Sequence, residues 1–207
     1  MAARSAPGKR FAWSAAGLMS LFVIVTCLLF VWRGTSATSA PKNPTRSADG
    51  IRCQLFLETD GGKPVRCAAV LDQKPEEVWA VVTDYSRFGE IFDSKLWRVV
   101  LASHDQDPDG RFRLVGRVVA PYAEYPFDVH IRHDTAADRS VASWDETDGE
   151  GSRTRGSWTL TPLEGGRTLL VYQQEIRARR APPVIVNNLL LAQLGGAVKR
   201  VKARVTP

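Results

Sequence analysis

The sequence predicts an α+β protein: a curved antiparallel sheet around a long C-terminal helix, two short helices closing one end, and an N-terminal transmembrane helix. Three observations predict it. Segments of alternating polarity recur between residues 51 and 178, separated by turn-forming clusters such as Asp60-Gly61-Gly62 and Glu164-Gly165-Gly166. The closing run VIVNNLLLAQLGGAVKRVKARV repeats its apolar residues at the helical period of about 3.6. Residues 11–32, FAWSAAGLMSLFVIVTCLLFVW, hold no charged side chain.

At 207 residues, 44% of them hydrophobic, the chain has room for one cored domain and an appendage. Of the net charge of +6, residues 1–50 carry +5, from six bases and one acid. The domain itself is near neutral, so the basic total gives no ground for nucleic-acid binding. Residues 1–10 form a basic tail with Arg4, Lys9 and Arg10. Residues 11–32, as a helix, span a hydrocarbon layer of ~30 Å, with Trp13 and Trp32 near its ends. They read as a transmembrane anchor or an uncleaved signal. The apolar run exceeds the ~7–15 residues of a signal core, and TSATSAP after it lacks a clean small-x-small cleavage site. Arg4, Lys9, Arg10 and the N-terminal amine before the span slightly outnumber Arg33, Lys42 and Arg46 after it, which favours the domain on the extracytoplasmic, periplasmic side. Residues 33–50, rich in Ser, Thr, Ala and Pro, read as a flexible tether to a domain at 51–207.

Within the domain, strands are expected near 51–58, 64–72, 96–104, 111–120, 126–134, 140–147, 154–162 and 168–178, paired in sequence as a meander. Alternation assigns their faces. Phe112, Leu114 and Val118 share a side, with Arg111, Arg113 and Arg117 opposite. Phe127, Val129 and Ile131 share another, against Asp128, His130 and Arg132; Trp158 and Leu160 likewise alternate with Ser157, Thr159 and Thr161. One face is dry and needs a cover.

Between the second and third strands, KPEEVWAVVTDYSRFGEIF (74–92) predicts two short helices, about 75–83 and 85–92. Pro75 suits a first helical position, and Asp84-Tyr85 interrupts the apolar run. The cover is the final helix after Pro182-Pro183: Leu190, Leu194, Val198, Val201 and Val205 share a face, with Lys199 and Lys202 opposite. Gly195-Gly196 in its middle costs about 1 kcal/mol per glycine, so it marks either a close approach or unfilled space.

These segments resemble the START-like, or SRPBCC, superfamily of polyketide cyclase and coenzyme Q-binding-like proteins over residues 51–205. Pro75, Val78, Trp79, Val81, Asp84 and Tyr85 match its P-x-x-V-W-x-V-x-x-D-Y helix pair; Gly156, Trp158, Leu160 and Pro162 match its G-x-W-x-L-x-P strand. The resemblance implies a helix-grip fold with a deep apolar cavity between sheet and helix. Phe112, Leu114, Val129, Ile131 and His133 would line it from one side; Trp158, Leu160, Tyr172, Leu190 and Leu194 would line it from the other. Tyr85, Phe88, Ile91 and Phe92 would form its gate. Tyr172, Gln174 and His133 are the polar residues to seek inside it.

Other chemistry is sparse. His130 and His133, three apart on a strand, point to opposite faces and make no metal site. Asp105-x-Asp107-x-Asp109-Gly110 opens like a calcium loop, but its twelfth position is Gly116 and strands flank it. No catalytic constellation stands out, and no cofactor is expected. Cys53 and Cys67 flank the first hairpin. A turn centred on Asp60-Gly61 leaves them one residue out of register, so a disulfide and two buried thiols both stay open. Arg113, Arg117, Asp128, His130, Arg132 and Asp134 read as a solvated charge ladder. Arg177, Arg179, Arg180, Lys199, Arg200, Lys202 and Arg204 form a basic C-terminal region. It reads as solvated surface or as a patch drawn to anionic lipid, ~1 kcal/mol per base. The expected function is a membrane-tethered binding protein for a hydrophobic small molecule such as a lipid, quinone or polyketide. The alternatives are a cyclase or aromatase-type enzyme using the same cavity, or an interaction module whose cavity has collapsed. Oligomeric state is left open.

Overall fold

Short turns and alternating side chains build one antiparallel sheet. The computed structural model describes residues 45–46, 49–56, 63–95, 97–120, 123–147, 153–177 and 182–206. Its strands are β1 (Thr45–Arg46), β2 (Arg52–Leu55), β3 (Val65–Leu71), β4 (Arg98–Gln106), β5 (Phe112–Ala120), β6 (Ala123–Ala136), β7 (Arg139–Thr147), β8 (Arg153–Leu163) and β9 (Arg167–Arg177). The helices are α1 (Pro75–Val82), a 3-10 turn (Tyr85–Arg87), α2 (Phe88–Phe92) and α3 (Pro183–Val205). Among the described residues the strand order is β1-β2-β3-β9-β8-β7-β6-β5-β4. The sequential meander therefore holds for β4 through β9 and for β2 with β3, but not between β3 and β4. β3 pairs with β9, from Val65↔Gln174 to Leu71↔Thr168. The short helices carry the chain from there to the far edge of the sheet. β1 lies within the stretch expected to be tether, and Arg46 pairs with Arg52.

The second departure is in β6, which is longer than expected. Its first part pairs with β5, from Phe112↔Ile131 to Ala120↔Ala123. Its last part pairs with β7, from Arg132↔Ser143 to Ala136↔Arg139. The partner changes between Ile131 and Arg132, so β7 leaves the ladder there. The backbone N–H of His130, freed at that point, donates to Glu146 Oε1 at 3.1 Å. By strand periodicity Pro126 presents its position to the same unpaired side, where it has no N–H to satisfy.

The short helices end for local reasons. Pro75 opens α1, and the Lys74 N–H donates to Glu77 Oε2 at 3.3 Å. Thr83 closes it, donating both its N–H and its Oγ1 hydrogen to the Trp79 carbonyl. Val78 and Val82 are its buried side chains. After α2, Asp93 Oδ1 accepts the N–H of Val99 at 2.6 Å, which fixes the entry to β4.

The long helix α3 packs on β2, β3 and β9 and on the two short helices. It buries Leu190, Leu194, Ala197, Val198 and Val201. Each large aliphatic among them contributes about 1.5–3 kcal/mol relative to exposure. Gly195 marks a close approach: a Cβ there would stand 3.3 Å from Cys53 Sγ. Cys53 and Cys67 are disulfide-bonded and directly opposite in the β2–β3 register, with Cα atoms 4.1 Å apart. The one-residue offset expected from the turn is thus corrected. Gly156 is enforced more tightly, since a Cβ would lie 2.7 Å from the Gln173 carbonyl oxygen and run into the Trp144 ring.

The segment 11–32 lies outside the described residues, as do residues 1–44 generally, Arg179 and Arg180. Among the described residues no helix is long and apolar enough to cross a membrane. Among the described residues the bases of the C-terminal region have partners on the domain itself. Arg177 pairs with Glu175 at 2.8 Å, Lys199 with Asp49 at 2.9 Å, and Lys202 Nζ donates to the Asp49 carbonyl. Arg200 Nε donates to the Ile91 carbonyl at 2.6 Å, and Arg204 faces Asp84 and Glu90. On the outer face Arg113 forks onto Asp128, and Arg117 meets Glu124 at 3.3 Å, as solvated cross-strand pairs.

Candidate ligand site on the concave face

Parity places the site residues. On β5 and β6, Phe112, Leu114, Val129, Ile131 and His133 all point to the concave side, as Phe127 does between Tyr125 and Val129. On β8 and β9, Trp158, Leu160, Tyr172 and Gln174 do the same, and α3 brings Leu190 and Leu194. α2 sits over this face. Phe88 and Phe92 pack against each other, tilted by 36°, at 4.3 Å between centroids. Phe88 reaches Phe127 at 6.4 Å, and Phe92 reaches Tyr172 at 5.9 Å and Trp158 at 6.2 Å.

Exposure divides these residues in two. A side chain bordering a space that admits water keeps accessible surface. Leu114 and Leu160 keep 0% and Leu194 keeps 1%, so they border no such space. Trp158 and Tyr172, stacked at 3.9 Å, fill the centre, with Ile131 and Leu190 packed into the same core. These side chains, expected to line a hollow, are buried around the two large rings that lie between sheet and helix. Phe112, Val129, Phe127 and His133 remain half-buried. Of the gate residues, Tyr85 and Ile91 are buried, whereas Phe88 and Phe92 are half-buried.

Two polar pairs lie inside. The Tyr172 hydroxyl donates to Gln174 Oε1 at 2.8 Å. Tyr85 Oη and His133 Nε2 are hydrogen-bonded at 2.7 Å. The His133 ring stacks on Phe112 at 4.8 Å and meets the edge of Trp79 at 5.1 Å. Burial pushes both tyrosine hydroxyls far above the ordinary tyrosine range. It holds the His133 imidazole below its ordinary value of 6.5. All three groups are therefore held in their neutral forms at neutral pH.

Two recesses of about 260 Å³ each open on the opposite, convex face. They adjoin where β6 leaves β7 and share Ser143, Trp144 and Asp145. Nearby, His130 lies between Glu146 at 3.2 Å and Asp107 at 3.5 Å. Among the described residues no group of His, Cys, Asp and Glu side chains could hold a metal ion.

Residues 65–206 match the family described as Polyketide cyclase / dehydrase and lipid transport. The chain belongs to this family. No curated protein matches it. Solved structures share the START-like fold. Protein CV1439 from Chromobacterium violaceum is 20% identical with a TM-score of 0.52, covering 70% of this chain and 97% of its own. The lipid transfer and protein localization domain of human StarD13 is 15% identical with a TM-score of 0.59, covering 89% and 97%. Human StAR-related lipid transfer protein 5 is 15% identical with a TM-score of 0.56, covering 93% and 97%.

Within this START-like frame, sequence reasoning missed three features. Trp144 is inward, 6.3 Å from Tyr172, because it sits across from Gly156; a tryptophan opposite a glycine was the available signal. Trp79 faces His133 rather than only packing as a helix residue. The Tyr85–His133 bond joins residues 48 apart in sequence, and no local pattern announces it.

Proposed function

We propose that this chain binds a hydrophobic small molecule, of lipid, quinone or polyketide type, against the concave face of its START-like domain, and holds that domain at a membrane. The observation that carries the reading is the half-buried apolar strip of Phe112, Phe127 and Val129 beneath a five-residue helix that sets the half-buried rings of Phe88 and Phe92 over the concave face. A ligand enters by displacing those rings, exchanging their burial for its own at about 25 cal/mol per Å². The family description, which includes lipid transport, agrees with it. Membrane attachment rests on residues 11–32, and the Cys53–Cys67 disulfide supports an oxidising, extracytoplasmic compartment. A cyclase-type enzyme is the second reading, and the Tyr85–His133 pair favours it as a neutral acid–base couple facing the same strip.

Mass spectrometry of small molecules extracted from the natively purified full-length chain tests the proposal. A hydrophobic compound recovered at near-equal molar amount is the expected result. Repeatedly empty spectra overturn it in favour of an interaction module with a closed interior. A compound converted to a product on incubation moves the reading to the enzyme.

A further inference from the structure

We propose that His133, held by Tyr85, is the polar anchor of this site and selects hydrophobic molecules bearing one neutral oxygen, a hydroxyl or a carbonyl, over plain hydrocarbons and over charged amphiphiles. The inference rests on the binding reading above and names the ligand class it serves.

The inward row of β6 runs Phe127, Val129, Ile131, His133: three apolar side chains, then an imidazole. Two rings fix that imidazole, Phe112 stacked on it and Trp79 edge-on. Nε2 is committed to the Tyr85 hydroxyl. Among the described residues Nδ1 has no hydrogen-bond partner, and it is not sealed from solvent. The other inward polar pair is elsewhere, on β9: the buried Tyr172 hydroxyl donates to the Oε1 of the half-buried Gln174, off the β6 row. His133 therefore presents an open hydrogen-bonding position at the end of the apolar row of β6.

The chemistry of that position follows from its partner. When the Tyr85 hydroxyl donates to Nε2, the ring hydrogen sits on Nδ1 and donates to a carbonyl or hydroxyl oxygen. In the other tautomer Nδ1 accepts from a hydroxyl. Burial disfavours both the imidazolium and the phenolate, so the pair offers no full charge to a ligand. A carboxylate or phosphate brought here loses its hydration and gains only one neutral donor, which does not compensate. A hydrocarbon leaves Nδ1 desolvated and unpaired.

The test is calorimetric titration of the full-length chain with naphthalene, naphthol and naphthoate. Naphthol is expected to bind about tenfold tighter than naphthalene, the size of one desolvated hydrogen bond, and tighter than naphthoate. In His133→Phe the naphthol-to-naphthalene ratio is expected to fall to about one. An unchanged ratio in the variant, or naphthoate as the tightest ligand, overturns the anchor. Should the variant not fold, nitrogen NMR of the labelled imidazoles in the natural chain, which has 3 histidines, reads the same contact. The His133 Nδ1 signal is expected to move with naphthol and not with naphthalene; equal response to both overturns the anchor. If naphthalene binds but naphthol binds no tighter, the anchor alone falls. If none of the three binds, the carrier reading falls and takes the anchor with it.

Discussion

His133 is held by three neighbours, the Tyr85 hydroxyl, the Phe112 face and the Trp79 edge, and its burial among them disfavours the charged ring. Burial lowers its proton affinity in the folded state below the 6.5 of a free imidazole. The unfolded chain consequently binds its proton first as pH falls. Stability contributed by neutral His133 is complete above about pH 6.5 and is lost as pH drops through the folded-state value. Denaturant midpoints measured between about pH 7 and pH 5 should therefore decline more steeply for the natural chain than for His133→Phe. Parallel slopes would assign the decline to other groups. The inward direction of His133 was readable from its parity with Ile131. Its partner was not, because a contact between the 3-10 turn and β6 depends on where the turn lands.

At the scale of elements, the β2–β3 hairpin shows how a register is decided. Counting from turn residues left Cys53 and Cys67 one place apart. The actual register instead follows burial: Val65, Cys67, Ala69 and Leu71 all face inward, and a one-residue slip of β2 would turn Cys53 to the other face. The resulting bridge, 14 residues apart in sequence, lies directly beneath Gly195 of α3, which answers why that helix carries a glycine there. β2 has only four residues, so the bridge is its strongest tie to the sheet. Closing a loop of this size stabilises by about 3 kcal/mol in the chain-entropy account. Guanidinium unfolding with and without a thiol reductant should show the midpoint falling by the corresponding amount. An unchanged midpoint would mean that pairing with β3 and packing on α3 hold β2 without the bridge. The long helix and its buried face were legible throughout, since Leu190, Leu194, Val198 and Val201 recur with the helical period and bury on it.

For the molecule as a whole, β8 and β9 form the rigid centre, paired without interruption from Arg153↔Arg177 to Leu163↔Arg167. The segment Tyr85–Phe92 is built differently. It consists of a 3-10 turn and one five-residue helix, held by ring contacts, by Arg200 on the Ile91 carbonyl and by the longer Arg204 contacts to Asp84 and Glu90 at 3.6 and 3.8 Å. Few of its backbone hydrogen bonds are shared with the sheet, so local opening costs less there than in β8–β9. Amide hydrogen exchange should be faster across 85–92 than across β8–β9, and adding naphthol should slow it. Exchange equal to that of β8–β9, unaffected by naphthol, would describe a sealed interior rather than a gated one.

Period and alternation are local properties, and from them the sequence by itself determined the element types, the inward faces of β5, β6, β8 and β9, and the cover supplied by α3. Tertiary structure alone decided that β3 joins β9, that β6 changes partner after Ile131, that the stacked Trp158 and Tyr172 fill the centre, and that Tyr85 meets His133. The reason is geometric. Alternation tells which side of a strand a side chain occupies, whereas the volume left between sheet and helix depends on curvature and on how residues distant in sequence share that space.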